Sequence, residues 1–447
     1  MSRVIRTIMA AALACAAHGA QAQWMPQWIG TWQHPEPVRG VAASGVRATD
    51  DGVVFAAIDV THHGRAHAAL ARFGADGAFA WLREHEALNI AAIERLDGGR
   101  VALVGQSASA SMTVYVRVYD GATGDVVWQR EFSPANLRYD ERYGSRHLSV
   151  DANGNLYVLG SDDGDFVVIR YDAAGNALPA WRYATGDAKV AGSYIVALAD
   201  GGAIVTGQGD SLDGGYRTVR LDAQGAALFD DTEPGDIGNP LGPSYVAAAP
   251  DGGFVVVAAP ESSFGVPKAQ AWKLSATGER LWTTVLPNPN APSSLSIGAF
   301  APLADGDVLI VPESVFDHRF RLVRVRGSDG AVLRDASAAT VGNPMALAVA
   351  PNGRALVGGF VFVGSSGATA ARVAEFDANG APCRAATDLA MSGGVAAGAS
   401  VAGWSVLGGS VFVQGVGNDA LVRRYDANGA CTSGEAIFAD GFEDAVR

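Results

Sequence analysis

The sequence predicts an all-β protein: an eight-bladed β-propeller with four antiparallel strands per blade, closed by an N-terminal outer strand. Three observations predict it. A strand, turn and strand unit typified by Phe166–Trp181 recurs eight times, its copies lie about 50 residues apart, and the strand missing from the last copy has a counterpart near the start.

Taken in order, residues 1–22 read as an export signal. Arg3 and Arg6 form a basic head, an alanine-rich apolar stretch follows, and Ala20-Gln21-Ala22 offers a small-x-small cleavage site, which makes Gln23 the mature N-terminus. Leu13-Ala14-Cys15 superficially resembles a lipobox, but its leucine stands one position too close to the cysteine. Later apolar runs are broken every few residues by Asp, Gly or Arg, so no transmembrane anchor is expected.

Next comes Trp28-Ile29-Gly30-Thr31-Trp32, which resembles the tryptophan-containing outer strands of later units. The repeated turns then end on Gly77, Gly124, Gly175, Gly225, Gly278, Gly330, Gly380 and Gly429; subtracting successive positions gives 47, 51, 50, 53, 52, 50 and 49 residues. That period suits a four-stranded blade and leaves little room for a helix in each unit. A second turn precedes each of the first seven, as at Asp97-Gly98-Gly99, Asp151-Ala152-Asn153-Gly154 and Asp251-Gly252-Gly253. The last unit lacks a convincing outer strand, because Cys431-Thr432-Ser433-Gly434 is short and polar; Trp28–Trp32 is expected to supply it. A seven-bladed ring with a divergent flanking unit is the competing arrangement. The propeller is assigned to residues 23–434 and a C-terminal tail to 435–447.

Trp81, Trp128, Trp181, Phe229 and Trp282 follow the later turn of their units and read as packing between neighbouring sheets. Asp120, Asp172, Asp222, Asp377 and Asp426 read as turn residues whose carboxylates accept backbone hydrogen bonds, since repetition argues against a unique catalytic acid. Short repetitive turns occupy one rim. Variable segments at Asp59–Ala68, Gly207–Tyr216, Ala259–Gln270 and Val311–Phe320 occupy the other, where a selective partner surface is expected.

Two constellations could carry chemistry. Asp59, His62, His63 and His67 could hold a transition metal if their donors converged, and Glu261, Glu313, Asp317 and His318 could line an acidic pocket. Solvated or partner-contacting loop residues are the preferred explanation of both. Asp151–Asn155 and Ser161–Asp165 lack the full ligand spacing of a calcium loop. The chain has no GxxxxGK, HExxH or G-x-S-x-G motif. No catalytic, cofactor-binding or metal residue is therefore assigned, and no cofactor is expected.

The run Tyr119-Asp120-Gly121-Ala122-Thr123-Gly124-Asp125-Val126-Val127-Trp128 resembles the aspartate, threonine-glycine turn and outer-strand tryptophan of the broad quinoprotein-like (PQQ-like) propeller family; Leu274–Trp282 and Tyr171–Trp181 are weaker forms. That family includes quinone-dependent enzymes and noncatalytic envelope scaffolds. Resemblance to the enzymes would imply a vicinal disulfide and clustered calcium carboxylates, whereas the three cysteines here, Cys15, Cys383 and Cys431, include no adjacent pair. The resemblance favours the scaffold branch. The tail segment Ile437-Phe438-Ala439-Asp440-Gly441-Phe442-Glu443 resembles a short C-terminal motif of exported xanthomonad-like bacterial proteins, which implies sorting or processing; simple docking of Ile437, Phe438 and Phe442 is the alternative.

The formal charge of -13, or -15 once Arg3 and Arg6 are removed, disfavours nonspecific nucleic-acid binding. An exported location permits a disulfide between Cys383 and Cys431, with two free thiols as the alternative. Together these features predict a periplasmic or extracellular binding scaffold whose partner is an envelope or extracellular protein or glycan. The alternative is a propeller hydrolase or lyase acting on carbohydrate or another small substrate.

Overall fold

The computed structural model describes residues 28–32, 40–62, 65–86, 88–107, 113–132, 146–186, 190–209, 215–233, 244–259, 269–288, 295–314, 319–363, 368–388, 397–401, 404–413, 417–426 and 434–438. The leader, His63, the eighth turn glycine Gly429, Cys431 and Phe442 lie outside them. The described chain is almost entirely strand and falls into two compact units, one up to Glu86 and from Ala338 onward, the other Ala87–Ser337.

Within each unit the strands form sheets in which sequence neighbours are also spatial neighbours, as in Leu148–Val150, Leu156–Asp162, Asp165–Tyr171 and Ala177–Tyr183. The inner strands read as continuous apolar runs because both of their faces are buried. Leu156 and Val158 pack with Val104 and Val116 of the preceding sheet, while Tyr157 and Leu159, on the alternate phase of the pleat, pack with Ile195 and Val205 of the next. Phe254 and Val256 against Val255 and Val257 divide in the same way between two clusters. Outer strands instead alternate, as in Arg280–Val285, where every second residue is exposed.

The turns form for the local reason their sequences suggest. Asp172 Oδ1 accepts the backbone N–H groups of Ala174 and Asn176 at 2.9 and 2.8 Å, and Gly175 at φ +83° closes the turn onto the Asp172 carbonyl. Asp222 and Asp377 repeat this pattern with the residues two and four positions on.

Trp28–Trp32 pairs antiparallel with Gly417–Asp426, from Trp28 opposite Arg424 to Trp32 opposite Ala420, at the edge left open by the chain's last regular strands. Val406 and Val422 of that sheet pack with Val54, Ala56 and Ile58.

The expectation of eight blades with four antiparallel strands each needs correction. Among the described residues, the regular four-stranded antiparallel blades number seven, not eight. The sheet built on Asn343–Val349, Ala355–Val363, Ala368–Phe376 and Pro382–Asp388 has five strands, and its fifth, Gly434–Phe438, runs parallel to Pro382–Asp388. The short polar run before Gly434 disguises this strand in the sequence; the segment pairs with an earlier sheet instead of ending the last one. No helix among the described residues is long and apolar enough to cross a membrane.

Candidate functional site

Between adjacent sheets of the Ala87–Ser337 unit, a repeated contact sets the frame. Trp128, Trp181, Phe229 and Trp282 each lie against the turn glycine of the next sheet: a Cβ built on Gly175, Gly225, Gly278 or Gly330 would fall 2.5, 2.3, 2.5 or 2.7 Å from the respective ring. A basic residue adds a polar latch beside the same turns. Arg220 Nη1 donates to the Ala276 carbonyl at 2.7 Å and Lys273 Nζ to the Gly327 carbonyl at 3.0 Å, while Arg220 and Lys273 also pair with Asp200 and Asp251 of their own sheets. The aromatic and acidic repeats are thus spent on structure at the short-turn rim.

At the opposite ends of these sheets, charged side chains form a band. Asp162-Asp163-Gly164-Asp165 makes a tight hairpin with Asp163 at φ +50°. Arg182 clamps it, donating to Asp162 Oδ2 at 2.6 Å and Asp165 Oδ2 at 2.8 Å, and Thr185 Oγ1 donates to the Gly164 carbonyl at 2.7 Å. Tyr183 then donates to Asp230, which also accepts from Arg217 Nε at 2.9 Å. Asp231 accepts from Arg280 Nη2 at 2.7 Å and Trp272 Nε1 at 3.0 Å, and Glu233 from Arg280 and from Gln270 at 2.9 Å. Finally, Arg321 forks onto both Asp335 oxygens at 2.6 Å and donates to the Pro287 carbonyl.

Six carboxylates, Asp162, Asp165, Asp230, Asp231, Glu233 and Asp335, face four guanidiniums in these contacts, so the band is acidic on balance. Hydrogen bonds to Asp162 and then Asp165 raise the Arg182 pKa, and burial followed by the Asp230 acceptor raises that of the Tyr183 phenol. Fixed, mutually paired charges of this kind suit electrostatic recognition more than proton transfer, which calls for a group poised near neutral pH.

The sequence-level candidates are described only in part. His62 stands opposite Arg65 and His67 opposite Val60, whereas Asp59 stands opposite Ala68, on the other phase of the pleat from both histidine positions. Glu313 is half-buried, with Ser296 Oγ 3.3 Å from its backbone carbonyl and 3.4 Å from Oε2; Glu261, Asp317 and His318 lie outside the described residues. Asp151 accepts from the N–H groups of Asn153 and Asn155 and from the Asn155 amide, as a turn residue does. Among the described residues, no group of three or more His, Cys, Asp or Glu is placed to hold a metal ion. The charged band was missed at the sequence level because its partners come from different strands and, for Tyr183 with Asp230 and Arg280 with Asp231 and Glu233, from different sheets; Tyr183 and Asp230 are 47 residues apart. Their only sequence signal is the clustering of Asp and Arg toward outer-strand ends.

The turn carboxylates make acid stability a direct readout. The Asn176 amide and neighbouring N–H groups hold Asp172 below the ordinary aspartate value, Lys273 does the same for Asp251, and the Thr123 N–H for Asp120. With folded values depressed, the unfolded chain binds more protons, so the contribution is complete above about pH 4 and is lost as pH falls through the lower folded values. The urea midpoint is expected to stay level from about pH 7 to 5 and to drop below about pH 4. Asp172→Asn should flatten that drop; an unchanged acid limb in the variant would contradict the assignment.

Comparisons with known proteins agree with this architecture. No curated protein sequence matches the chain significantly. Among solved structures, the chain is similar to the quinohemoprotein alcohol dehydrogenase from Comamonas testosteroni, with 13% identity, 93% of this chain and 78% of that one covered, and a TM-score of 0.53. It also matches a protein of unknown function from Bacteroides caccae at 14% identity over 65% of this chain and 93% of that one, with a TM-score of 0.37. At 13% identity the likeness to the dehydrogenase concerns fold alone. The residues do not fit the quinone cofactor of the dehydrogenase branch: no two cysteines are adjacent, and Asp120, Asp172, Asp222 and Asp377 each serve two backbone N–H groups of their own turns. The family described as outer membrane protein assembly factor BamB matches residues 180–430, more than half of the sequence. With its repeated four-stranded sheets and aromatic-on-glycine seams, the chain belongs to this PQQ-like β-propeller family.

Proposed function

We propose that this protein is an exported interaction scaffold of the bacterial envelope, carried across the inner membrane by residues 1–22, and that it presents its partner face at the variable-loop ends of its sheets. The observation that carries this reading is the division of labour between the two ends. Short-turn carboxylates and aromatics are consumed by repeated structural contacts, while the other end bears the acidic band from Asp162 to Asp335 and the variable connections. Membership of a family described by an assembly factor supports a role in holding other proteins. An acidic band on rigid sheets favours a partner segment rich in Lys or Arg, since complementary charge steers association.

The test places a photo-crosslinking residue at Arg182 on the band, or at Ala122 on the short-turn rim, of the full-length chain expressed in its own envelope. Discrete protein adducts are expected from position 182 and not from 122. Equal adducts from both positions would overturn the assigned face. Covalent capture of a glycan or turnover of one by the purified protein would replace the scaffold reading with the enzymatic one.

A further inference from the structure

Cys383 is disulfide-bonded and 2% exposed. It stands three residues after the turn glycine Gly380, and residues at the same offset in other sheets are open to solvent: Val127 is 49%, Leu228 53%, Leu281 50% and Leu333 40% exposed. Cys383 lies in Pro382–Asp388, the outer strand whose free side is covered by Gly434–Phe438, with Arg384 opposite Gly434 and Asp388 opposite Phe438. Of the two other cysteines, Cys15 falls in the stretch read as the leader, and Cys431 precedes Gly434 by three residues. Cys431 is tethered by three residues, at most about 10 Å of chain, to Gly434, which pairs with the neighbour of Cys383, and that tether allows the Cα separation of roughly 4.4–6.8 Å that a disulfide needs.

We propose that Cys383 is bonded to Cys431, and that this bond staples the C-terminal strand onto the outer edge of its sheet as an intramolecular edge guard. An outer strand left open presents a row of unpaired N–H and C=O groups to any extended segment. Here the chain supplies its own occupant and ties it covalently next to the first paired residue. On formation, the two thiols lose two protons and two electrons to a disulfide-donating oxidant, which is reduced to its dithiol.

Peptide mapping of the full-length protein purified from the envelope, digested with trypsin without reduction, tests the pairing. The segment 373–384 is expected joined to 425–447. Recovery of Cys383 as a free thiol, or in any other linkage, overturns it. Amide hydrogen exchange tests the staple: in Cys383→Ser/Cys431→Ser, and in folded wild-type protein after reduction with a dithiol, amides of residues 384–388 and 434–438 are expected to exchange about tenfold faster or more, with 203–208 unchanged. The reduced wild-type arm keeps the test decisive if the variant fails to fold. Unchanged exchange after the bond is broken would show that the bond does not hold the strand.

Discussion

Trp181→Ala is expected to lower the free energy of unfolding by about 3–5 kcal/mol, the usual cost of truncating a buried aromatic. The ring is 4% exposed, lies against Gly225 of the next sheet, stands 5.7 Å from the Tyr157 ring centroid, and carries the Arg170 guanidinium 3.9 Å above its own centroid. Its removal therefore opens a cavity and takes from a half-buried cation one of its two aromatic contacts, leaving the Tyr157 ring. Among the described residues the indole N–H meets no hydrogen-bond acceptor, so Trp181→Phe should retain most of the stability. Urea denaturation at neutral pH measures both. An alanine variant within about 1 kcal/mol of wild type would mean that the seam does not contribute as described.

Gly225→Ala attacks the same seam from the other side. Gly225 sits at φ +86°, where an alanine costs about 1–2 kcal/mol. The added methyl would also start 2.3 Å from Trp181 Cδ1, and such overpacking typically costs about 1–3 kcal/mol more. The two contributions separate in the double variant. In Trp181→Ala/Gly225→Ala the methyl gains the space left by the ring, so the combined loss should fall short of additivity by about 1–3 kcal/mol, while the backbone cost remains. Strict additivity would show that the methyl and the ring do not meet.

These two positions illustrate what a linear reading can and cannot reach. Gly225 is recognisable as a turn glycine from Asp222 three residues before it, and Trp181 as a buried outer-strand aromatic from the apolar and polar alternation around it. That they touch each other is visible only when neighbouring sheets are placed side by side. The candidate site follows the same division. The separation of the two rims follows from the order of turns along the chain, but the pairing of Arg182 with two hairpin aspartates, or of Arg280 with Asp231 and Glu233, depends on geometry across strands and sheets.

By itself, the sequence determined the all-β class, the repeated turns and the need for Trp28–Trp32 at an open edge, because these rest on side-chain alternation and on backbone preferences within a few residues. Tertiary structure alone decided that, among the described residues, regular four-stranded sheets number seven, that Gly434–Phe438 joins Pro382–Asp388 in parallel, and that Tyr183 meets Asp230 and Arg280 meets Asp231 across sheets. The physical reason is range: a turn is stabilised by neighbours in the chain, whereas an added edge strand or an ion pair between sheets is selected by whichever groups the completed fold brings within hydrogen-bonding distance.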